Sequence, residues 1–189
     1  MNRSASSHVV TLFGSSRPRE GDELYRLAFE CGTLLAQNGY TICNGGYGGT
    51  MEASARGARE AGGRTIGVVC ERFGPVANRF TDRTIVCGTL MERLTKLIAL
   101  GDAYIVFPGS TGTLLELAAV WEMENKSIIS TRPLLLIGSF WNDVVRTLDA
   151  ERSFEGNDPA TSYITIVPDP ISCLPILSNS LNSVDPSGH

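Results

Sequence analysis

Residues 104–116, YIVFPGSTGTLLE, constrain the fold more than any other stretch of the chain. Tyr104, Ile105, Val106 and Phe107 form a short apolar run, rich in aromatic and β-branched residues and closed by Pro108. That is the pattern of a strand buried on both faces of a parallel sheet. The glycine-rich turn 108–112 then leads into a helix expected to open at Thr113. The N–H groups and positive dipole end of such a helix face any anion lying over the strand's carboxyl edge. Glu116 is expected on the first turn of that helix, beside the anion.

The same alternation of short apolar runs and amphipathic segments fills most of the chain. Residues 9–13 read as a first strand, followed by the turn Gly14-Ser15-Ser16-Arg17. A helix capped by Asp22 carries Leu24, Leu27, Ala28, Cys31, Leu34 and Leu35 at helical spacing and stops at Gly39. A strand at 40–43, a glycine turn at 44–49, a helix at 50–61 and a strand at 65–69 come next. Residues 70–83 form a longer loop carrying Arg72, Arg79 and Arg83, and residues 84–87 a short strand. Thr89 and Glu92 have the spacing of a capping box for a helix at 89–100. The helix after the central turn is expected to reach about Asn125 with Leu114, Leu117, Ala118 and Trp121 as its core stripe. A strand at 134–137, a helix at 141–150 and an edge strand at 164–167 complete the pattern, and Pro168, Pro170 and Pro175 interrupt the segment beyond that strand.

Strands alternating with helices imply an α/β fold, a Rossmann-like doubly wound parallel sheet with helices on both faces and right-handed crossovers. Ligands in such sheets bind at the carboxyl ends of the strands. A chain of 189 residues with 42% hydrophobic residues is expected to form one domain, over 1–177, with a disordered tail at 178–189.

The rarest residues exclude several chemistries. His8 and His189 are the only histidines, so neither a Ser/His/Asp triad nor a histidine-bound metal is expected. Lys96 and Lys126, the only lysines, both fall in helical contexts, which disfavours a Schiff base with pyridoxal phosphate. Cys31, Cys43, Cys70, Cys87 and Cys173 show no C-x-x-C spacing and lie in or beside apolar segments, as buried thiols of a reducing compartment do. A net charge of -4 gives no footprint for a nucleic-acid partner. With no secretory leader pattern and no apolar run long enough for a membrane, a cytoplasmic location is expected.

The turn Gly45-Gly46-Tyr47-Gly48-Gly49-Thr50 suits the close approach of a phosphate. Met51 stands where a dinucleotide fingerprint needs glycine, and no lysine comes after the last glycine as in a P-loop. A tight ligand-free turn is the alternative. Thr113 and Glu116 also match a capping box, in which the glutamate would only tie the helix start. Arg93 has a bland reading too, as a solvated helix residue.

Residues 108–116, PGSTGTLLE, resemble the P-G-G-x-G-T-x-x-E motif of the Lonely Guy (LOG) family, phosphoribohydrolases formerly often labelled lysine decarboxylases. The resemblance extends over most of residues 9–150, including Gly14-Ser15-Ser16 and the turn at 45–51. The family's other signature, M-H-x-R-K, falls on Leu90-Met91-Glu92-Arg93-Leu94, where the arginine is kept. The resemblance implies that Arg93 and Glu116 are catalytic. It implies that Gly14, Ser15, Gly45, Gly46, Gly48, Gly49, Thr50, Gly109, Ser110, Thr111, Gly112 and Thr113 bind a nucleoside 5′-monophosphate, with free base and ribose 5-phosphate as products. No metal or cofactor is implied, and the assembly implied is a homodimer or larger homo-oligomer.

Three departures stand out. Ser110 replaces the motif's second glycine, which costs roughly 1 kcal/mol if that position requires a left-handed backbone. Asn44 replaces the first glycine of the other turn, and Met91 and Leu94 replace the usual histidine and lysine. Glycosidic cleavage passes through an oxocarbenium-like state, which one carboxylate beside the ribose can serve by activating water and steadying positive charge. The alternative is a binding module resembling molybdenum-cofactor carrier proteins of the same fold, which would need neither Arg93 nor Glu116. A DNA-handling relative of the fold is disfavoured by the acidic balance.

Overall fold

Every strand in the computed structural model, which describes residues 8–156 and 158–181, runs parallel to its neighbours. In chain order the first half comprises β1 (Val9–Phe13), α1 (Glu23–Gln37), β2 (Thr41–Asn44), α2 (Thr50–Glu60), β3 (Thr65–Cys70), β4 (Arg83–Cys87) and α3 (Leu90–Leu100). The second comprises β5 (Ala103–Val106), α4 (Thr111–Asn125), β6 (Leu134–Ile137), α5 (Asn142–Phe154), β7 (Ile164–Val167) and α6 (Cys173–Leu181). Short 3-10 turns, Glu71–Phe73 and Ala160–Ser162, lie in the loops after β3 and before β7. The sheet order is β4-β3-β2-β1-β5-β6-β7, the doubly wound arrangement that the alternation implied.

Strand β5 explains why its segment reads as one continuous apolar run. Ala103, Ile105 and Phe107 pack with residues of α1, α2 and α6, while Tyr104 and Val106 pack with residues of α3, α4 and α5. All five side chains are fully buried, so neither face has a place for a polar residue. Each larger side chain so buried stabilises the fold by about 1.5–3 kcal/mol. Edge strand β7, by contrast, exposes Thr165 and Ile166.

β1 and β5 lie side by side at the centre, with Phe13 opposite Val106. From β1 the chain moves toward β2, and from β5 it moves the other way toward β6. The loops after these two strands therefore part, and a crevice opens at their carboxyl ends.

Several boundaries differ from the sequence reading. Helix α4 opens at Thr111 rather than Thr113, because Ser110 is already the extended N-cap residue. Its buried stripe is Thr113, Leu117, Val120, Trp121 and Glu124, whereas Ala118 is exposed. Helix α5 runs on to Phe154. Pro175 does not break the chain: it stands in the first turn of α6, where its missing N–H costs no hydrogen bond. Residues 178–181, read as part of a disordered tail, continue that helix because Leu177 and Leu181 are buried against the sheet. The remaining tail, 182–189, lies outside the described residues. All five cysteines are buried and free, as expected. Among the described residues, no helix is long and apolar enough to cross a membrane.

Candidate active site

The loops after β1 and β5, with the first turns of α3 and α4, border a cleft of about 370 Å³ at this crevice. One wall is the amino end of α4. Ser110 makes no side-chain cap bond, so the N–H groups of Thr111, Gly112 and Thr113 have no partner within the helix and carry its positive dipole end. Ser110 itself has φ −102° and ψ −152°, extended backbone open to any residue. The strain considered for a serine at this motif position is therefore absent.

Glu116 stands on the second turn of α4, where it cannot cap the helix. The capping-box reading is corrected accordingly: Glu116 Oε1 lies 3.5 Å from Nη1 of Arg93. Arg93 is only 7% exposed, which overturns its reading as a solvated helix residue. The capping box expected at Thr89 and Glu92 is present and fixes the first turn of α3. Arg93, the next residue, then donates from Nε to the Val68 carbonyl at 2.8 Å. Its guanidinium carbon sits 5.6 Å from the centre of the Tyr47 ring, and a Cβ on Gly45 would collide with Nη2. These contacts hold the guanidinium in one plane against Glu116.

The electrostatics of the pair are unequal. Burial pushes the Glu116 carboxyl up to about 7, and the opposing pull of Arg93 does not cancel it. A carboxyl at that value is half ionised at neutral pH, where a general base combines availability with proton affinity. Cys43 and Cys173 offer no competing nucleophile, since burial pushes both thiols up to about 12. Among the described residues, no group of three or more His, Cys, Asp or Glu side chains is placed to hold a metal ion.

Of the residues nominated from the sequence, Gly14, Ser15, Arg93, Ser110, Gly112, Thr113 and Glu116 line the cleft. Gly45, Gly46, Gly48, Gly49, Thr50, Gly109 and Thr111 are not among the residues that line it. The turn at 45–50 backs the loop after β1. Thr50 donates its N–H and its hydroxyl to the Ser15 carbonyl at 2.9 and 3.1 Å. Gly49, at φ +66°, lets the two loops touch, for a Cβ there would run into Ser15 and Ser16 backbone. Asn44 fastens the turn from within. Its Oδ1 accepts from the Gly46 N–H at 2.8 Å, and its Nδ2 donates to the Met51 carbonyl at 2.9 Å and to Ser54 Oγ at 3.2 Å. A side chain thus does here what a bare glycine turn would leave to solvent.

Sequence reasoning did not nominate Ser16, Arg17, Tyr47, Met51 or Phe73, all of which line the cleft. Ser16 and Arg17 were legible only as part of a connecting turn. In the loop after β3 the arginines drew attention, yet Arg72 is exposed, Arg79 lies over the Phe80 ring and Arg83 opens β4. The loop's contribution to the cleft is Phe73.

Comparison with known proteins gives a family and a fold. The sequence model of the SLOG cluster4 family matches residues 7–160. An uncharacterized protein of Archaeoglobus fulgidus is 32% identical over 142 residues, 75% of this chain and 85% of that protein. A protein of Mycobacterium tuberculosis named cytokinin riboside 5′-monophosphate phosphoribohydrolase is 39% identical over 116 residues, 60% of this chain and 62% of its own length. Among solved structures, the molybdenum cofactor binding protein of Rippkaea orientalis superposes with a TM-score of 0.73 at 21% identity, over 93% of this chain and 98% of that one. That likeness is one of fold.

Proposed function

The chain belongs to the SLOG cluster4 family, and within it we propose that this protein hydrolyses the N-glycosidic bond of a purine nucleoside 5′-monophosphate, releasing free base and ribose 5-phosphate. The observation that carries the reading is the Arg93–Glu116 pair, buried in a cleft whose wall is the uncapped amino end of α4. The name of the Mycobacterium tuberculosis relative supports the same reaction class.

In this reading the phosphate lies against the N–H groups of α4, with Ser15 and Arg17 beside it. Glu116 then faces the ribose. Its carboxylate takes a proton from a water molecule as that water's oxygen bonds to C1′, and its charge steadies the oxocarbenium-like state. The C1′–N bond breaks, its electron pair leaves with the base, and the base takes a proton from solvent. Arg93 keeps Glu116 oriented and favours its ionised form. Adenosine monophosphate and N6-modified adenosine monophosphates are the substrates proposed. The proposal includes a homodimer or larger assembly, from the family resemblance, and a cytoplasmic location, which five buried free thiols fit.

A carrier of the molybdenum-cofactor type needs a grip on phosphate and no buried carboxylate poised near neutrality, so the pair favours the hydrolase reading. The test is release of ribose 5-phosphate from AMP and from isopentenyladenosine monophosphate by the wild type and Glu116→Gln. The wild type should turn over and the variant should lose roughly 10²- to 10⁴-fold. Binding of both nucleotides without turnover by the wild type would hand the site to the carrier reading.

A further inference from the structure

We propose that Phe73 is the platform on which the base of the nucleotide stacks, and that Tyr47 holds this platform at the cleft; the inference rests on the nucleotide reading above. An exposed phenylalanine alone argues nothing, since isolated apolar residues are common on protein surfaces. Phe73 is 58% exposed and also lines the cleft. With Met51 it supplies apolar side chains to a lining that also carries Ser15, Arg17 and the start of α4. A nucleotide needs both kinds of group: donors for its phosphate and a face for its flat base.

The loop that presents Phe73 is held in place. Phe73 ends the one-turn Glu71–Phe73 segment, and Gly74 at φ +105° turns the chain back. Tyr47 reaches across from the other loop. Its hydroxyl accepts the Cys70 N–H at 2.8 Å and has the Gly74 carbonyl as an acceptor at 3.0 Å, so one oxygen bridges the residues just before and just after the segment. Asn78 completes the tie. Its N–H donates to the Gly46 carbonyl at 2.7 Å, and its Nδ2 donates to the Gly46 and Tyr47 carbonyls at 3.1 and 3.0 Å. The face of the Tyr47 ring meanwhile carries the Arg93 guanidinium. Tyr47 therefore acts as a positioning residue that sets the aromatic rim at a fixed place relative to Arg93 and Glu116.

Stacking on a single aromatic face tolerates different bases and edge substituents, because it reads a π-face rather than a hydrogen-bond pattern. Such a platform admits N6-substituted adenines as readily as adenine.

The experiment measures the affinities of AMP and ribose 5-phosphate by calorimetry, with Phe73→Ala, Phe73→Trp and Tyr47→Phe each placed in a Glu116→Gln background that removes turnover. Phe73→Ala should weaken AMP by about tenfold or more and leave ribose 5-phosphate unchanged, and Phe73→Trp should restore AMP. Tyr47→Phe keeps the ring under Arg93 and loses the clasp, so it should weaken AMP in the same selective way. Equal loss for both ligands, or a lower melting temperature with AMP affinity intact, would reduce Tyr47 to a structural role. If Phe73→Ala binds AMP normally, or changes the oligomeric mass while both ligands weaken together, the platform is refuted. If the parent protein binds neither ligand, the nucleotide reading falls and takes the platform with it.

Discussion

Arg93 Nη1 lies 3.5 Å from Glu116 Oε1, yet the carboxyl is pushed up to about 7 rather than down, because burial outweighs the facing guanidinium. The ionised form is the base, so activity should follow its population. We predict that kcat/KM for ribose 5-phosphate release rises with pH to a plateau, with a midpoint at about 7. A profile that falls with pH through the same range would give Glu116 the opposite role, that of an acid.

Stability carries the same imprint with its own sign. A carboxyl raised in the folded state binds more protons there than in the unfolded chain, so unfolding free energy falls as pH rises from about 4.5 to about 7. Glu124 isolates the effect from the cleft. It is 3% exposed, burial also raises it to about 7, and only one of its oxygens has a partner, the Arg132 N–H at 3.0 Å. Over that window the Glu124→Gln stability curve should be flatter than the wild type's, by on the order of 1–3 kcal/mol. Urea unfolding across the range checks this, and parallel curves would show that the carboxyl is not held up by burial.

How much of the fold and the site was legible in the sequence depends on which interactions are local. The β5 run announced itself because burial on both faces leaves it no polar position, and the Thr89–Glu92 cap because both partners lie within one helical turn. Glu116 and Thr113 have the same local spacing, but the N-cap position there is Ser110, which makes no side-chain cap bond, and the decisive partner, Arg93, is brought in by a different helix. The resemblance named both residues without their geometry. Phe73 left no signal: its place depends on Tyr47 and Asn78 bonds between separate loops, which no periodicity encodes. Pro175 read as a breaker because only the position of the helix start makes it harmless.

Two neighbouring glycines should behave differently. Gly49 has φ +66°, and a Cβ there would meet the Ser15 and Ser16 backbone, whereas the nearest atom to a Cβ on Gly48 is the Ser16 carbonyl oxygen at 3.7 Å. Gly49→Ala should cost about 2 kcal/mol or more and displace the loop after β1. Gly48→Ala should stay within about 0.5 kcal/mol of wild type. Denaturant unfolding ranks the pair, and equal stabilities would mean that the two loops can separate freely.

The last prediction separates two roles for Arg93. If it acts through Glu116, removing it leaves burial unopposed, and the Glu116 value must rise above about 7. Arg93→Ala should then lower kcat/KM at neutral pH by about 10²-fold and also move the midpoint of the pH profile upward. Arg93→Lys keeps a charge, but a compact ammonium cannot donate to the Val68 carbonyl, lie over Tyr47 and face Glu116 together. Its midpoint should fall between those of the wild type and the alanine variant. Pre-steady-state rates across pH measure both quantities at once. A loss of rate with an unmoved midpoint in both variants would mean that Arg93 acts on the substrate directly and leaves the ionisation of Glu116 to burial alone.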